Sequence, residues 1–217
     1  RPLRWDIFCR VIDNYGDAAV CWRLARELAA RGAAHVRLWI DQPAVLAPLH
    51  AVIDARLALQ SVEGVEIRHW SEPFDREAFG DPADVVVEGF GCGLPDAYVE
   101  AMAALKDDPA AGTRHRAPSL WIVLEYLSAE PWVAEHHRLP SPHPRLPLER
   151  YFFFPGFTPA TGGLIKEAGL DARREVFQSG AATRAGFWAR LGFDAVSEQA
   201  LTVSLFGYEN PAVAGLL

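Results

Sequence analysis

Residues 4–31, RWDIFCRVIDNYGDAAVCWRLARELAAR, contain the pattern that decides the fold. The segment begins with a nearly continuous apolar run, IFCRVI, which is typical of a strand covered on both faces of a parallel sheet. It ends with Val20, Leu24 and Leu28 at four-residue spacing, which predicts an amphipathic helix. A strand that leads through a short loop into a helix is the building unit of an α/β sheet.

The loop between this strand and this helix reads DNYGD and carries two carboxylates four residues apart. Ligands of α/β sheets usually lie beside the loop that leaves the carboxyl end of the first strand. Asp13 and Asp17 are therefore candidate catalytic residues, and Gly16 is expected to give the turn backbone angles that other residues avoid. The ordinary alternatives are that Asp17 caps the helix and that Asp13 bonds its own backbone.

The rest of the chain repeats the alternation of strands and helices, which predicts a parallel, doubly wound, Rossmann-like α/β sheet. Proline at the first turn favours helix starts. The predicted strands after the first are 35–40, 65–70, 84–88, 120–124, a buried sixth strand at 151–157 and a new strand at 201–206. One predicted helix runs from Pro43 toward residue 59, a second begins at Pro95, and a third covers 183–191.

Composition narrows the class of protein. The 217 residues are 50% hydrophobic and carry a formal net charge of −7, which disfavours a nucleic-acid partner because such proteins usually have a basic face. The three cysteines have no C-x-x-C spacing and are predicted to be buried thiols of a cytoplasmic protein. No apolar run approaches the roughly 20 residues that span a bilayer, so we expect no membrane partner. We expect a monomer.

Two further segments have ordinary alternatives. The stretch GFGCG at 89–93 resembles a phosphate cradle only loosely, and a tight turn is the simpler interpretation. His136, His137 and His143 lie near the proline-rich run LPSPHP, where a metal site is conceivable. No carboxylate lies at ligand spacing, so we predict a solvated loop and no metal.

Several linked motifs, in order along nearly the whole chain, resemble one family. They are FCRVIDNYGDAAVCWRLARELA, WIVLEYLSAEPWV, LPSPHP, YFFFPGFTPATGGLI and SLFGYENPA. The chain is similar to the protein-arginine rhamnosyltransferases that modify elongation factor P. This resemblance implies an inverting glycosyltransferase of the two-domain GT-B architecture, which moves rhamnose from dTDP-β-L-rhamnose to an arginine side chain without a metal or other cofactor.

The resemblance also implies a division of the chain and a set of site residues. Residues 1–182 would form a Rossmann-like acceptor-binding domain with an interdomain segment, and 183–217 the incomplete start of the nucleotide-sugar-binding domain. Asp13 and Asp17 match the two essential aspartates of the family. The donor contacts expected within this chain are Gly16, Ser204, Phe206 and Tyr208.

Acceptor contacts are predicted from two places. Asn14 and Tyr15 belong to the acidic loop itself. Glu125, Tyr126 and Glu130 follow the fifth predicted strand, and loops at the carboxyl ends of parallel strands converge. Any one of these three could equally be a helix-cap or surface residue.

The chemistry of the loop agrees with an arginine acceptor. A guanidinium is planar and stays protonated, so it is a poor nucleophile until its N–H groups are held by carboxylates. Asp17 would accept a proton as the nitrogen attacks the sugar, and Asp13 would orient the guanidinium. The rival interpretations are a GT-B enzyme with another acceptor, a non-catalytic acidic module that binds a basic protein, and a metal-dependent hydrolase with both aspartates as ligands.

Overall fold

The computed structural model describes residues 2–13, 15–33, 35–74, 76–107, 118–193, 201–203 and 215, without the side chains of residues 78, 106 and 107. The chain divides into two compact units, Arg1–Glu167 and Ala168–Leu217. The first unit contains the acidic loop and the whole sheet. The predicted domain boundary after residue 182 remains a prediction, since a contact-based unit need not coincide with a functional domain.

Within the described part of the first unit, eight strands form one sheet in the order β3-β4-β2-β1-β5-β6-β8-β7. All neighbours pair in parallel except the two edge strands, β3 and β7, which run antiparallel to β4 and β8. The arrangement fits the predicted α/β, Rossmann-like fold, although the prediction of a parallel sheet did not include the two antiparallel edge strands. The strands are β1 Arg4–Cys9, β2 His35–Ile40, β3 Leu59–Val62, β4 Val65–His69, β5 Val85–Gly89, β6 Leu120–Leu124, β7 Pro140–Pro142 and β8 Glu149–Phe153.

Helices connect most of the parallel strands, and α1 follows β1 as the opening segment predicts. Gly32 ends this helix with φ +86°, a left-handed conformation that glycine adopts easily. Among the described residues, no helix has the length and apolarity to cross a bilayer. The helices are α1 Gly16–Ala30, α2 Arg76–Phe79, α3 Asp96–Asp107, α4 Val133–His136, α5 Leu170–Ser179 and α6 Ala181–Arg190.

The prediction of a helix from Pro43 toward residue 59 is wrong. Only a 3₁₀ turn forms, at Pro43–Leu46, and turns follow it until β3 begins at Leu59. Pro48 contributes to the interruption, because proline lacks the N–H that would donate the next helical hydrogen bond.

The end of the sheet also differs from the prediction. β8 ends at Phe153 and is half-buried, because only β7 separates it from the sheet edge. β7 lies in the segment that was expected to be only a solvated loop. Its prolines are tolerated because some residues of an edge strand do not need an N–H for pairing within the sheet. In the second unit, α6 matches the predicted helix, whereas α5 was not predicted. Residues 201–203 form no strand, and the rest of the strand predicted at 201–206 lies outside the described residues.

The sheet separates two apolar layers. On one face, α1 packs against β1 and β2, and Cys9 and Cys21 are fully buried there as free thiols. On the other face, Phe8 of β1 contacts the rings of Trp39, Trp70 and Tyr98. The rigid layers on both faces fix the carboxyl ends of β1, β5 and β6, which is where the acidic loop lies.

A buried ion pair ties the centre of the sheet together. Arg37 of β2 donates two hydrogen bonds of 2.5 Å to the carboxylate of Asp6 in β1. The hydroxyl of Tyr98 in α3 donates to the same carboxylate, and Arg37 Nη1 donates to the carbonyl of Phe79 at 2.6 Å. Asp6 and Arg37 are 0% and 8% exposed, so each charge depends on its partner.

We therefore expect Arg37→Met to lower the free energy of unfolding by about 3–5 kcal/mol, because methionine fills a similar volume but leaves the Asp6 charge buried and unpaired. Urea unfolding followed by tryptophan fluorescence measures the change. Arg56→Ala is the control, because Arg56 pairs with Asp54 at the surface and should leave the midpoint unchanged. A loss below about 1 kcal/mol in Arg37→Met would contradict the account.

Candidate active site

Asp17 is the centre of the acidic loop. It lies in the first turn of α1 and is 1% exposed. Its Oδ2 accepts hydrogen bonds from the backbone N–H groups of Ile12 and Asp13, both at 3.1 Å. Its Oδ1 accepts the hydroxyl of Tyr126 at 3.0 Å. Tyr15, not Asp17, occupies the N-cap position, so Asp17 fastens the preceding loop and the end of β6 to the helix.

Asp13 is exposed at the start of the same turn, and its carbonyl accepts the N–H of Gly16 at 2.8 Å. The expected reason for glycine at position 16 is wrong, since Gly16 is absent from the residues with positive φ. A Cβ on Gly16 would lie 2.9 Å from Asp13 Oδ2, so a side chain at this position would displace the Asp13 carboxylate.

Tyr126 approaches Asp17 from the carboxyl end of β6. Its ring stacks on the ring of Phe90, with centroids 4.4 Å apart and planes 20° from parallel. Burial, together with the hydrogen bond to Asp17, raises the pKa of Tyr126 to about 12. The phenol therefore stays protonated at physiological pH and acts as a donor to Asp17.

A cavity of about 780 Å³ adjoins these residues. Asp13, Asp17, Glu125 and Tyr126 lie among its polar lining residues. Burial and the nearby charge of Glu88 raise the pKa of Glu125, an effect that Arg150 opposes. The apolar walls come from α1, the inner strands and the segment after β8, namely Trp5, Val20, Leu24, Leu28, Val87, Phe90, Ile122, Leu124, Leu127, Phe153, Pro155, Leu164 and Ile165.

Arg23 is a cation among the described lining residues, and it is already paired. Arg23 lines the wall, but its Nε donates to Glu167 at 2.5 Å and its Nη2 to the carbonyl of Ile165 at 3.2 Å. The lining also contains the carboxylates of Asp13, Asp17 and Glu125, and carboxylates suit a cationic group with an aliphatic stem.

Residues 5–217 match the protein family described as Elongation-Factor P (EF-P) rhamnosyltransferase EarP. The chain belongs to this family. A protein-arginine rhamnosyltransferase of Pseudomonas putida is 49% identical over 213 residues, which cover 98% of this chain and 52% of that protein. Those of Pseudomonas aeruginosa and Shewanella oneidensis are 46% and 39% identical, again over 98% of this chain and 53% and 52% of their own lengths. The chain therefore spans about half the length of these curated relatives.

The structure of this rhamnosyltransferase-family chain brings together only some of the predicted site residues. Asp13, Gly16, Asp17, Glu125 and Tyr126 all line the cavity. Their functional roles stay predictions.

The other predicted site residues lie elsewhere or are not described. Tyr15 and Glu130 are exposed and are not among the cavity-lining residues. Asn14, Ser204, Phe206 and Tyr208 lie outside the described residues. The roles predicted for all six also stay predictions.

Sequence reasoning missed two supporting residues, Phe90 and Glu88. Glu88 is 2% exposed at the end of β5, where Oε1 accepts the N–H of Gly93 at 2.9 Å and Oε2 accepts the indole N–H of Trp121 at 3.0 Å. It thus holds the GFGCG segment as a tight turn. The signal available in the sequence was a single charge inside the apolar run VVVEG.

The predicted loop histidines have structural partners. His137 Nδ1 accepts the N–H of Phe154 at 3.1 Å, and His143 Nδ1 accepts the N–H of Leu146 at 3.0 Å. Burial lowers the pKa of His137, which favours the neutral ring that this hydrogen bond needs. In the described ranges, no group of three or more histidine, cysteine or carboxylate side chains is placed to hold a metal ion.

Asp17 gives a direct stability prediction for this member of the family. Asp17→Ala should lower the free energy of unfolding by about 1–3 kcal/mol, because it removes the acceptor of two backbone N–H groups and one hydroxyl. Asp17→Asn is the matched control: its amide oxygen can accept both N–H groups and its amide nitrogen can donate to the Tyr126 oxygen. Urea unfolding should therefore show a clear loss only for alanine, and equal losses would refute this account of the loop.

Proposed function

We propose that the full-length protein is an inverting GT-B glycosyltransferase that transfers rhamnose from dTDP-β-L-rhamnose to an arginine side chain of elongation factor P. This chain would supply the acceptor side of the reaction. The family membership and the printed names of the relatives support the reaction class. The observation that carries the proposal is the position of the Asp13 and Asp17 carboxylates beside a mostly apolar cavity.

An arginine side chain suits this cavity in both of its parts. The three methylene groups would contact apolar wall residues such as Phe90 and Leu127. The guanidinium would reach the polar lining, where carboxylates can hold its N–H groups with charge-assisted hydrogen bonds. A lysine ammonium has no planar fork, so the same pair of carboxylates would fix its direction less well.

The two aspartates would have different roles because their surroundings differ. A carboxylate has about four lone-pair sites, and three donors already occupy sites on Asp17. With these donors from the described residues in place, one site on Oδ1 is left for an N–H of the acceptor. Asp13 is exposed and can orient the guanidinium from the other side of the turn.

In the transfer step, a guanidinium nitrogen would form a bond to the anomeric carbon while the bond from that carbon to the dTDP oxygen breaks. The nitrogen proton passes to Asp17, and the electron pair of the broken bond leaves with dTDP. Attack from the face opposite dTDP inverts the anomeric centre. No carboxylate is needed as a nucleophile, in contrast to a retaining enzyme.

The donor would bind mainly to the second Rossmann-like domain of the full-length protein. Within this chain, we assign donor contacts to Gly16 at the start of α1 and to Ser204, Phe206 and Tyr208. Backbone N–H groups at the start of α1 favour an anion, which is consistent with a diphosphate nearby.

Asp17→Asn tests the proposed function. In the full-length enzyme it should lower kcat about 100-fold or more, because an amide cannot accept the proton although it can keep the loop in place. Mass spectrometry of elongation factor P gives the initial rate of rhamnose transfer. Asp41→Asn is a matched control, since Asp41 accepts the N–H of Val11 in the same loop but does not line the cavity. A near-normal kcat in Asp17→Asn would contradict the role of Asp17 as the base.

The proposed mechanism uses no metal, so a chelator gives an independent prediction. Excess EDTA should leave the initial rate of transfer unchanged, because the carboxylates contact the acceptor directly. The control is a known magnesium-dependent glycosyltransferase in the same buffer, which should lose its activity. Loss of transfer that added divalent cation restores would instead make Asp13 and Asp17 metal ligands.

A further inference from the structure

The turn after β5 contains an unusual backbone conformation. Phe90 has φ +55°, in the left-handed region that bulky aromatic residues rarely adopt. Gly91, with φ +63°, continues the same turn. Non-glycine residues in this region cost about 1–3 kcal/mol and are retained where the surrounding structure needs them.

Hydrogen bonds to β5 and β6 hold this turn. The N–H of Phe90 donates to the carbonyl of Leu124 at the end of β6, at 2.7 Å. The buried carboxylate of Glu88 accepts the N–H of Gly93 at 2.9 Å. The first bond connects Phe90 directly to the strand that precedes Tyr126, so the two aromatic rings are held by adjacent, fixed backbones.

The stack between Phe90 and Tyr126 is the packing contact that orients the tyrosine. Tyr126 is 51% exposed, so much of its ring faces no protein. The Phe90 ring lies against it with centroids 4.4 Å apart. Offset stacking of this kind adds about 0.5–1.5 kcal/mol beyond the burial of area, which is enough to select one ring orientation.

The oriented ring delivers its hydroxyl to the carboxylate of the proposed base. Tyr126 Oη lies 3.0 Å from Asp17 Oδ1, while both backbone donors to Asp17 lie on Oδ2. Among the described residues, the Tyr126 hydroxyl is therefore the donor to Oδ1, and Oδ1 is also the oxygen with a lone-pair site left for the substrate. Without it, the loop would still hold Oδ2, but Oδ1 would lose the contact that sets its direction.

We propose that Tyr126, clamped by Phe90, is a positioning residue that fixes Asp17 Oδ1 for proton acceptance from the acceptor nitrogen. This inference rests on the proposed function, since it assigns Tyr126 a role in that same transfer step. This role differs from the acceptor contact that the sequence predicted for Tyr126, because the tyrosine acts here through Asp17. Removal of its hydroxyl should therefore change kcat more than KM.

Tyr126→Phe in the full-length enzyme is the first test, because it removes the hydroxyl and keeps the ring stack. The proposal predicts that kcat falls about 10- to 100-fold, a part of what a general base contributes, while KM for the acceptor stays within about threefold. Tyr151→Phe is the matched control: its hydroxyl also donates to a carboxylate, that of Glu149, but it does not line the cavity. It should leave both constants unchanged.

A double-mutant cycle separates positioning from general stabilisation. Phe90→Leu should lower kcat in the wild-type background and have little further effect in Tyr126→Phe, because Phe90 acts through the tyrosine hydroxyl. Phe90→Tyr keeps an aromatic ring for the stack and should therefore lose less kcat than Phe90→Leu. The melting temperature of each variant shows whether it folds. If Phe90→Leu unfolds the turn, the comparison of Phe90→Tyr with wild type still tests the role of the ring stack.

The outcomes distinguish the inference from the function on which it rests. Wild-type enzyme that transfers no rhamnose overturns the proposed function, and the role of Tyr126 with it. Wild-type transfer with an unchanged kcat in Tyr126→Phe overturns the inference alone. Additive losses in the double mutant, or a change confined to KM, also overturn it, since they would show a structural or a binding role.

Discussion

The hydrogen bonds of the Asp17 carboxylate are the interaction on which the site depends. One oxygen accepts two backbone N–H groups of the loop after β1, and the other accepts the hydroxyl that follows β6. A buried carboxylate is stable only with such donors, so the loop, helix α1 and the end of β6 hold one another in place. The same three donors leave a single lone-pair site, which restricts where a substrate N–H can bind.

The Asp17 carboxylate lies in a cavity that has both charged and apolar lining residues, and the fold explains this combination. Parallel strands converge at their carboxyl ends, so the loops after β1 and β6 place Asp13, Asp17 and Glu125 along one cavity. The covered sheet face and α1 make the remaining walls apolar. Asp17 is buried and Glu125 is half-buried, so these two carboxylates are poorly solvated, and a cation that joins them relieves their mutual repulsion. Charge and shape thus both favour an arginine side chain, which carries its charge on an aliphatic stem.

The local parts of this arrangement and the convergence of the loops after β1 and β6 were predictable from the sequence, whereas the individual long-range contacts were not. The strand, loop and helix at the start follow from periodicity, and the two aspartates follow from their place after a buried strand. The helix after Pro43 was overpredicted partly because Pro48 outweighs the apolar pattern. Phe90 and the Tyr126 hydroxyl could not be placed, because their contacts join residues far apart in the chain, 109 positions for the bond to Asp17. The role of Gly16 depends on a neighbouring side chain, which composition does not reveal.

The most direct test of the account is calorimetric titration of the full-length protein with elongation factor P that carries arginine, lysine or alanine at the modified position. We predict that arginine gives the tightest binding and that lysine behaves more like alanine, because only a planar guanidinium matches the two carboxylates. Repeating the titration with Asp13→Ala should remove the advantage of arginine. Equal affinity for all three acceptors would contradict the claim that the cavity beside Asp13 and Asp17 binds the arginine.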